Sequence, residues 1–129
     1  MFENAQAVFT AEKMAELFPP ERTDAFFDAL FGGAEEGAYT IELGFRSANA
    51  TGLEFAFILK EKPGKCLACN LTYGLPQVFA RHPIINVAGV VAQIAKEAGV
   101  AESVIKWELG RTCEESRELH SIPLIIKAA

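Results

Sequence analysis

The chain has 129 residues, the size of one domain, which is enough to bury a core without a disulfide framework. Half of it is hydrophobic, 22% is charged and the mean hydropathy is +0.17, so disorder over most of the length is excluded. A net charge of −5 and a pI near 5.1 argue against a module that neutralises duplex phosphates, and no nucleic-acid partner is expected.

The start, Met1-Phe2-Glu3-Asn4, has neither the basic residues nor the apolar run of an export signal. Thr10 can cap a first helix whose Glu12 and Glu16 lie near its positive end, with Phe9 and Met14 at staple spacing, and Pro19 should stop it. A second helix is expected over 20–31, closed by Gly32 and Gly33. Its Phe26, Phe27, Leu30 and Phe31 gather on one side, which can face the core or another subunit.

From residue 38 the period changes from helical to alternating. Residues 40–46 read as a half-buried strand, 49–52 as a turn, and 53–60 as a strand apolar on both faces and therefore central. Lys62-Pro63-Gly64-Lys65 reads as a tight turn leading to a third strand over 66–73, making a three-stranded meander. One helical turn is expected at 77–81, followed by a long helix over 84–98 with Pro83 in its first turn and Gly99 past its end. Its longest apolar run, 84–95, contains Asn86 and Gln93 and is far short of the roughly 20 residues that span a bilayer. Residues 104–109 alternate as a fourth strand, 111–117 form a charged connection, and 119–126 form a fifth strand that Pro123 assigns to an edge. The expected fold is α+β, a two-layer single domain over 1–129. Two helices within 1–33 and the helix 84–98 cover an antiparallel sheet of about five strands.

The charge is unevenly spread. Residues 1–59 carry three basic and ten acidic groups, whereas 60–99 carry five and two. Lys62 and Lys65 in the hairpin turn, and Arg81 and His82 beside the start of the long helix, lie in that basic segment and could bind a small anionic ligand. Solvated lysines guarding a hairpin explain the same charges without a ligand.

Cys66-Leu67-Ala68-Cys69 is the sharpest local motif, since two thiolates at this spacing chelate a metal or form a disulfide. Cys113 and His120 could complete a zinc set of four, although on a regular strand positions 66 and 69 point to opposite faces. Lys62 and Lys65 would lower the Cys66 thiol's proton affinity, which keeps a redox role open, while buried structural cysteines are the bland alternative. His120 alternates with Ile122 and Leu124 and reads as a core-facing histidine. An odd count of three cysteines fits a reducing cytoplasm. No nucleophile elbow, phosphate loop or paired-carboxylate spacing is found, so no catalytic residue is assigned.

Pro63-Gly64-Lys65-Cys66-Leu67-Ala68-Cys69-Asn70-Leu71-Thr72-Tyr73-Gly74-Leu75-Pro76, with Ala25-Phe26-Phe27-Asp28-Ala29-Leu30-Phe31, resembles small uncharacterised proteins of anaerobic sulfate-reducing bacteria. The resemblance spans most of the chain and implies a bacterial cytoplasmic setting. Some of those proteins carry the label pancreas/duodenum homeobox protein. A homeodomain is a basic three-helix unit, whereas this chain is acidic and half strand in pattern, so the label does not transfer as a function. The sequence favours a non-enzymatic binding or interaction domain that self-associates as a homodimer, through either the Phe-rich amino-terminal helices or the sheet edge, the fifth strand being the expected edge. A metal or thiol redox protein built on the CxxC hairpin is the second reading.

Overall fold

A computed structural model describes residues 5–19, 21–31, 39–63, 75–82, 84–116 and 118–128. The described elements are α1 (Ala5–Val8), α2 (Ala11–Leu17), α3 (Glu21–Phe31), β1 (Tyr39–Asn49), β2 (Gly52–Glu61), α4 (Leu75–Arg81), α5 (Val87–Ala98), β3 (Ile105–Leu109), β4 (Cys113–Ser116) and β5 (Leu119–Ala128). The α+β class and the antiparallel five-stranded sheet expected from the sequence are both present.

Local chemistry sets most of the element ends. The Thr10 hydroxyl accepts from the Lys13 N–H at 3.3 Å and opens α2, while Phe9 and Met14 are both buried around that cap. Gly99, at φ 77°, takes the left-handed position that ends α5, and Val100 N–H then bonds back to the Ala95 carbonyl. Between β1 and β2, the Asn49 carboxamide oxygen accepts from both Thr51 N–H and Thr51 Oγ1, closing a two-residue turn.

Strand order is β1-β2-β5-β3, and β4 also pairs with β5. β2 is central, as its two apolar faces require. Both its sides are occupied over nearly its whole length, by β1 from Tyr39↔Glu61 to Asn49↔Gly52 and by β5 from Gly52↔Lys127 to Lys60↔Leu119. The side that a meander would give to residues 66–73 is therefore held by β5. Residues 66–73 themselves lie outside the described residues.

Three expectations are corrected. Residues 113–116, expected within a charged connection, form β4 and pair with β5; all four are exposed, so they carry no alternation to read. α5 begins at Val87, because Asn86 turns into the left-handed region (φ 50°, ψ 57°) and its side chain caps Gly89 N–H at 3.2 Å. The helix therefore starts four residues past Pro83. Finally, β5 is an inner strand, so Pro123 is not at an edge. Its carbonyl accepts from Gly110 N–H at 2.9 Å, on the side where the chain breaks between β3 and β4, so its missing donor faces that break.

The core lies between the helices and the face carrying Ile41, Leu43, Phe55, Phe57, Leu59, Ile122, Leu124 and Ile126. Phenylalanines fill it in edge-on contact: Phe9 with Phe55 at 5.0 Å between ring centres, Phe18 with Phe57 at 5.5 Å, and Phe79 with both Phe57 and Phe26 at 5.6 Å. Phe26 of α3 is thus spent on this chain's own core. The Phe27, Leu30 and Phe31 side chains lie outside the described set.

Candidate functional site

Cys66, Cys69 and Lys65 lie outside the described residues. Lys62 is half-buried just past β2, and Arg81 is exposed at the end of α4. His82 Nδ1 accepts from Ile84 N–H at 3.2 Å, and its ring stands edge-on to Phe26 at 4.9 Å. This histidine shapes the turn before α5. The start of α5 is displaced to Val87, and one of its first N–H groups is already bonded to Asn86. Arg81 and His82 therefore do not sit at the helix start on which the anion reading relied.

Cys113 and His120 occupy adjacent strands but opposite faces of the sheet. Cys113 pairs with Ser121 and is exposed, whereas Glu114 pairs with His120, which is 5% exposed on the core face. Side chains of neighbouring residues on a strand alternate, so register alone sends the Cys113 and His120 side chains away from each other. His120 Nε2 has no hydrogen-bond partner among the described residues, and the Glu114 carboxylate is 3.9 Å away. Among the described residues no group of three metal-binding side chains comes together.

A different site emerges from the sheet's edges. Glu61 N–H bonds to the Glu118 carbonyl and Ala128 N–H to the Thr51 carbonyl, so odd-numbered residues of β2 direct their backbone groups toward β5. Its even-numbered residues therefore bond to Thr40, Glu42 and Gly44 of β1. It follows that Ile41, Leu43 and Phe45 present their N–H and C=O groups away from the sheet. Thr23 of α3 confirms the direction: its buried hydroxyl receives Ile41 N–H at 3.0 Å and donates to the Ile41 carbonyl at 3.2 Å. α3 thus seals the edge at Ile41, and a bulge at Arg46, between Phe45 and Ser47, ends the regular edge at the other side.

Between these two limits, the outward groups of Leu43 and Phe45 face a groove of about 420 Å³. Phe9, Ala11, Met14, Ala15 and Phe18 wall it on one side, and 41–45 with Ile58 on the other. Gly44 and Ile58 belong to the face away from the helices and Leu43 to the core face, so the groove runs along the edge itself. On the outer face beside it, Glu42 pairs with Lys60 at 3.0 Å. Arg46 reaches over β2 and β5 to Glu115 of β4 at 3.7 Å, and Glu115 also accepts from Ser121 Oγ at 3.2 Å. The opposite edge of the sheet is different. There β3 and β4 have five and four residues and are broken at 110–112, a form that discourages pairing.

Sequence reading offered a sheet edge for self-association but put it at the fifth strand; β5 instead pairs with β2, far back along the chain, and the open edge is β1. The one local sign was Glu42-Leu43-Gly44-Phe45-Arg46, with opposite charges placed evenly about a glycine. No protein-family model, curated protein or solved structure matches the chain significantly.

Proposed function

We propose that this chain is a small non-enzymatic interaction domain of the bacterial cytoplasm that works by self-association, receiving an extended segment along the edge of β1. The observation that carries this reading is the pair of outward-facing backbone units at Leu43 and Phe45, which among the described residues pair with no strand on that side and border a groove whose other wall is α2. An edge strand with unpaired donors and acceptors is a template for another strand, and proteins usually blunt such edges. Among the described residues, blunting stops at Ile41 and Arg46, and none of them pairs with the outward side of the stretch between. The cytoplasmic setting is supported by the odd cysteine count and the resemblance to proteins of sulfate-reducing bacteria, and no described helix is long and apolar enough to cross a membrane.

Light scattering across a concentration series tests the reading. A dimer is the expected result, and a strict monomer at the highest attainable concentration would remove its basis.

A further inference from the structure

We infer that the occupant of the β1 edge is the β1 edge of a second copy, joined antiparallel about a two-fold axis at Gly44, so that the two sheets become one. This rests on the interaction-domain reading above and specifies its partner and register. The open window runs from Glu42 to Arg46, because Thr23 occupies Ile41 on one side and the bulge disrupts the strand on the other. Its midpoint is Gly44. A self-complementary interface places equivalent residues about its axis, so a window used by two identical strands must be centred there.

The hydrogen-bond pattern agrees with that centre. Leu43 and Phe45 are the residues whose backbone groups point outward, and about Gly44 each Leu43 faces the Phe45 of the other copy. Such a pair exchanges both N–H···O=C bonds in an antiparallel ladder, giving four bonds over the two pairs. Gly44 then faces Gly44 at a non-hydrogen-bonded position, where the chains approach most closely. An axis at any odd-numbered residue would also satisfy the ladder, but one at Leu43 or Phe45 would pair the other of these with Ile41 or with residue 47 beyond the bulge.

The charges agree as well. About Gly44, Glu42 lies opposite Arg46 of the second copy, twice over, on the same outer face. Shifting the axis to Glu42 or to Arg46 would instead set like charges against each other, which cross-strand pairs disfavour. The present partners, Lys60 and Glu115, are half-exposed or nearly so, and such pairs exchange at little cost. Ala11 and Ala15 of α2, both small and exposed, line the groove on the side facing β1.

A disulfide at the axis distinguishes this register from other dimers. A Cβ at Gly44 would meet the Ile58 Cδ1 methyl at 2.7 Å, so the variant is G44C/I58V, which removes that methyl. Oxidised at a concentration where light scattering shows dimer, it is expected to form an intermolecular 44–44 disulfide, identified by mapping the linked peptide. E42C is expected not to link to itself, since the two copies of position 42 stand about 13 Å apart along the pair, beyond disulfide reach. Glu42→Arg is expected to weaken the dimer about tenfold or more by facing Arg46 of the second copy. Adding Arg46→Glu is expected to recover part of that loss. A dimer that forms no 44–44 disulfide and ignores E42R overturns this register while leaving the interaction reading intact. A monomer overturns both. Circular dichroism of each variant separates either outcome from failure to fold.

Discussion

At the scale of single residues, the start of α5 shows one side chain dictating its neighbour. Asn86 adopts a left-handed conformation that few residues other than glycine tolerate, and its carboxamide oxygen caps Gly89 N–H. A Cβ on Gly89 would overlap the Asn86 side-chain amide. Alanine is the better helix former by roughly 1 kcal/mol, so propensity alone predicts that Gly89→Ala stabilises. With Asn86 present the gain should be cancelled, because the cap, worth about 1 kcal/mol, must be displaced. In the Asn86→Gly background the gain should reappear, giving a coupling of about 1 kcal/mol in a double-mutant cycle of urea unfolding. Additive effects would show that the cap and the glycine are independent. Tyr39 gives a pH prediction at the same scale. Burial raises its hydroxyl above the ordinary value of 10.0, so the fold keeps a proton that the unfolded chain releases. This contribution is fully present below about pH 10 and is lost as pH climbs past that value, by up to about 1.4 kcal/mol per unit. Tyr39→Phe lacks the linkage. The stability difference between parent and Y39F, measured at about pH 8 and about pH 11, should therefore shift toward Y39F at the higher pH; an unchanged difference would mean the phenol ionises freely in the fold.

At the scale of elements, the contact between α3 and β1 decides how much of the edge is available. Thr23 gives one hydroxyl to both backbone groups of Ile41 in a buried setting. Thr23→Val keeps the shape and strands both groups, which should cost about 2 kcal/mol in urea unfolding, whereas Thr23→Ser should keep most of the stability. A cost near zero for T23V would mean that water replaces the hydroxyl and the edge is not sealed there. The elements themselves were largely legible in the sequence. Thr10, the spacing of Phe26 in α3, Gly99, the alternation in β1 and β3, and the two apolar faces of β2 are local signals set by capping, helical period and pleat, and each marks an element that is present. Pairing was less legible, because alternation tells a strand's faces and not its neighbours; residues 66–73 and β5 were equally suited to lie beside β2. β4 was hidden by having no buried side chain, and Pro123 misled because a break in the adjoining strands accommodates it inside the sheet. The same limit concealed the candidate site. Cys113 and His120 stand out by residue type, yet register places them on opposite faces, while Leu43 and Phe45 look like ordinary core residues and matter here through their backbone.

At the scale of the whole molecule, the described helices lie on one face of the sheet, and the two lateral edges of the described strands are treated unequally. The β3 and β4 side is short and broken, whereas β1 runs eleven residues and, among the described residues, has no strand paired along the outer side of its middle. Among the residues whose side chains are described, Val104 is the only large hydrophobic one that is exposed. Backbone pairing along β1 needs no apolar patch. Binding of a second copy to the folded state alone stabilises that state by mass action, so the midpoint of thermal unfolding becomes concentration-dependent. For a dimer, each tenfold rise in concentration adds about 1.4 kcal/mol per dimer, which for a chain of this size corresponds to a rise of a few degrees in Tm. Calorimetry at about 10 μM and about 1 mM, spanning two such steps, should show that rise in the parent protein. E42R should show a smaller rise within the same range, because its weaker dimer is populated only near the upper end. A Tm that does not move with concentration in the parent protein would mean that folding and association are uncoupled, and that the β1 edge is left unpaired under those conditions.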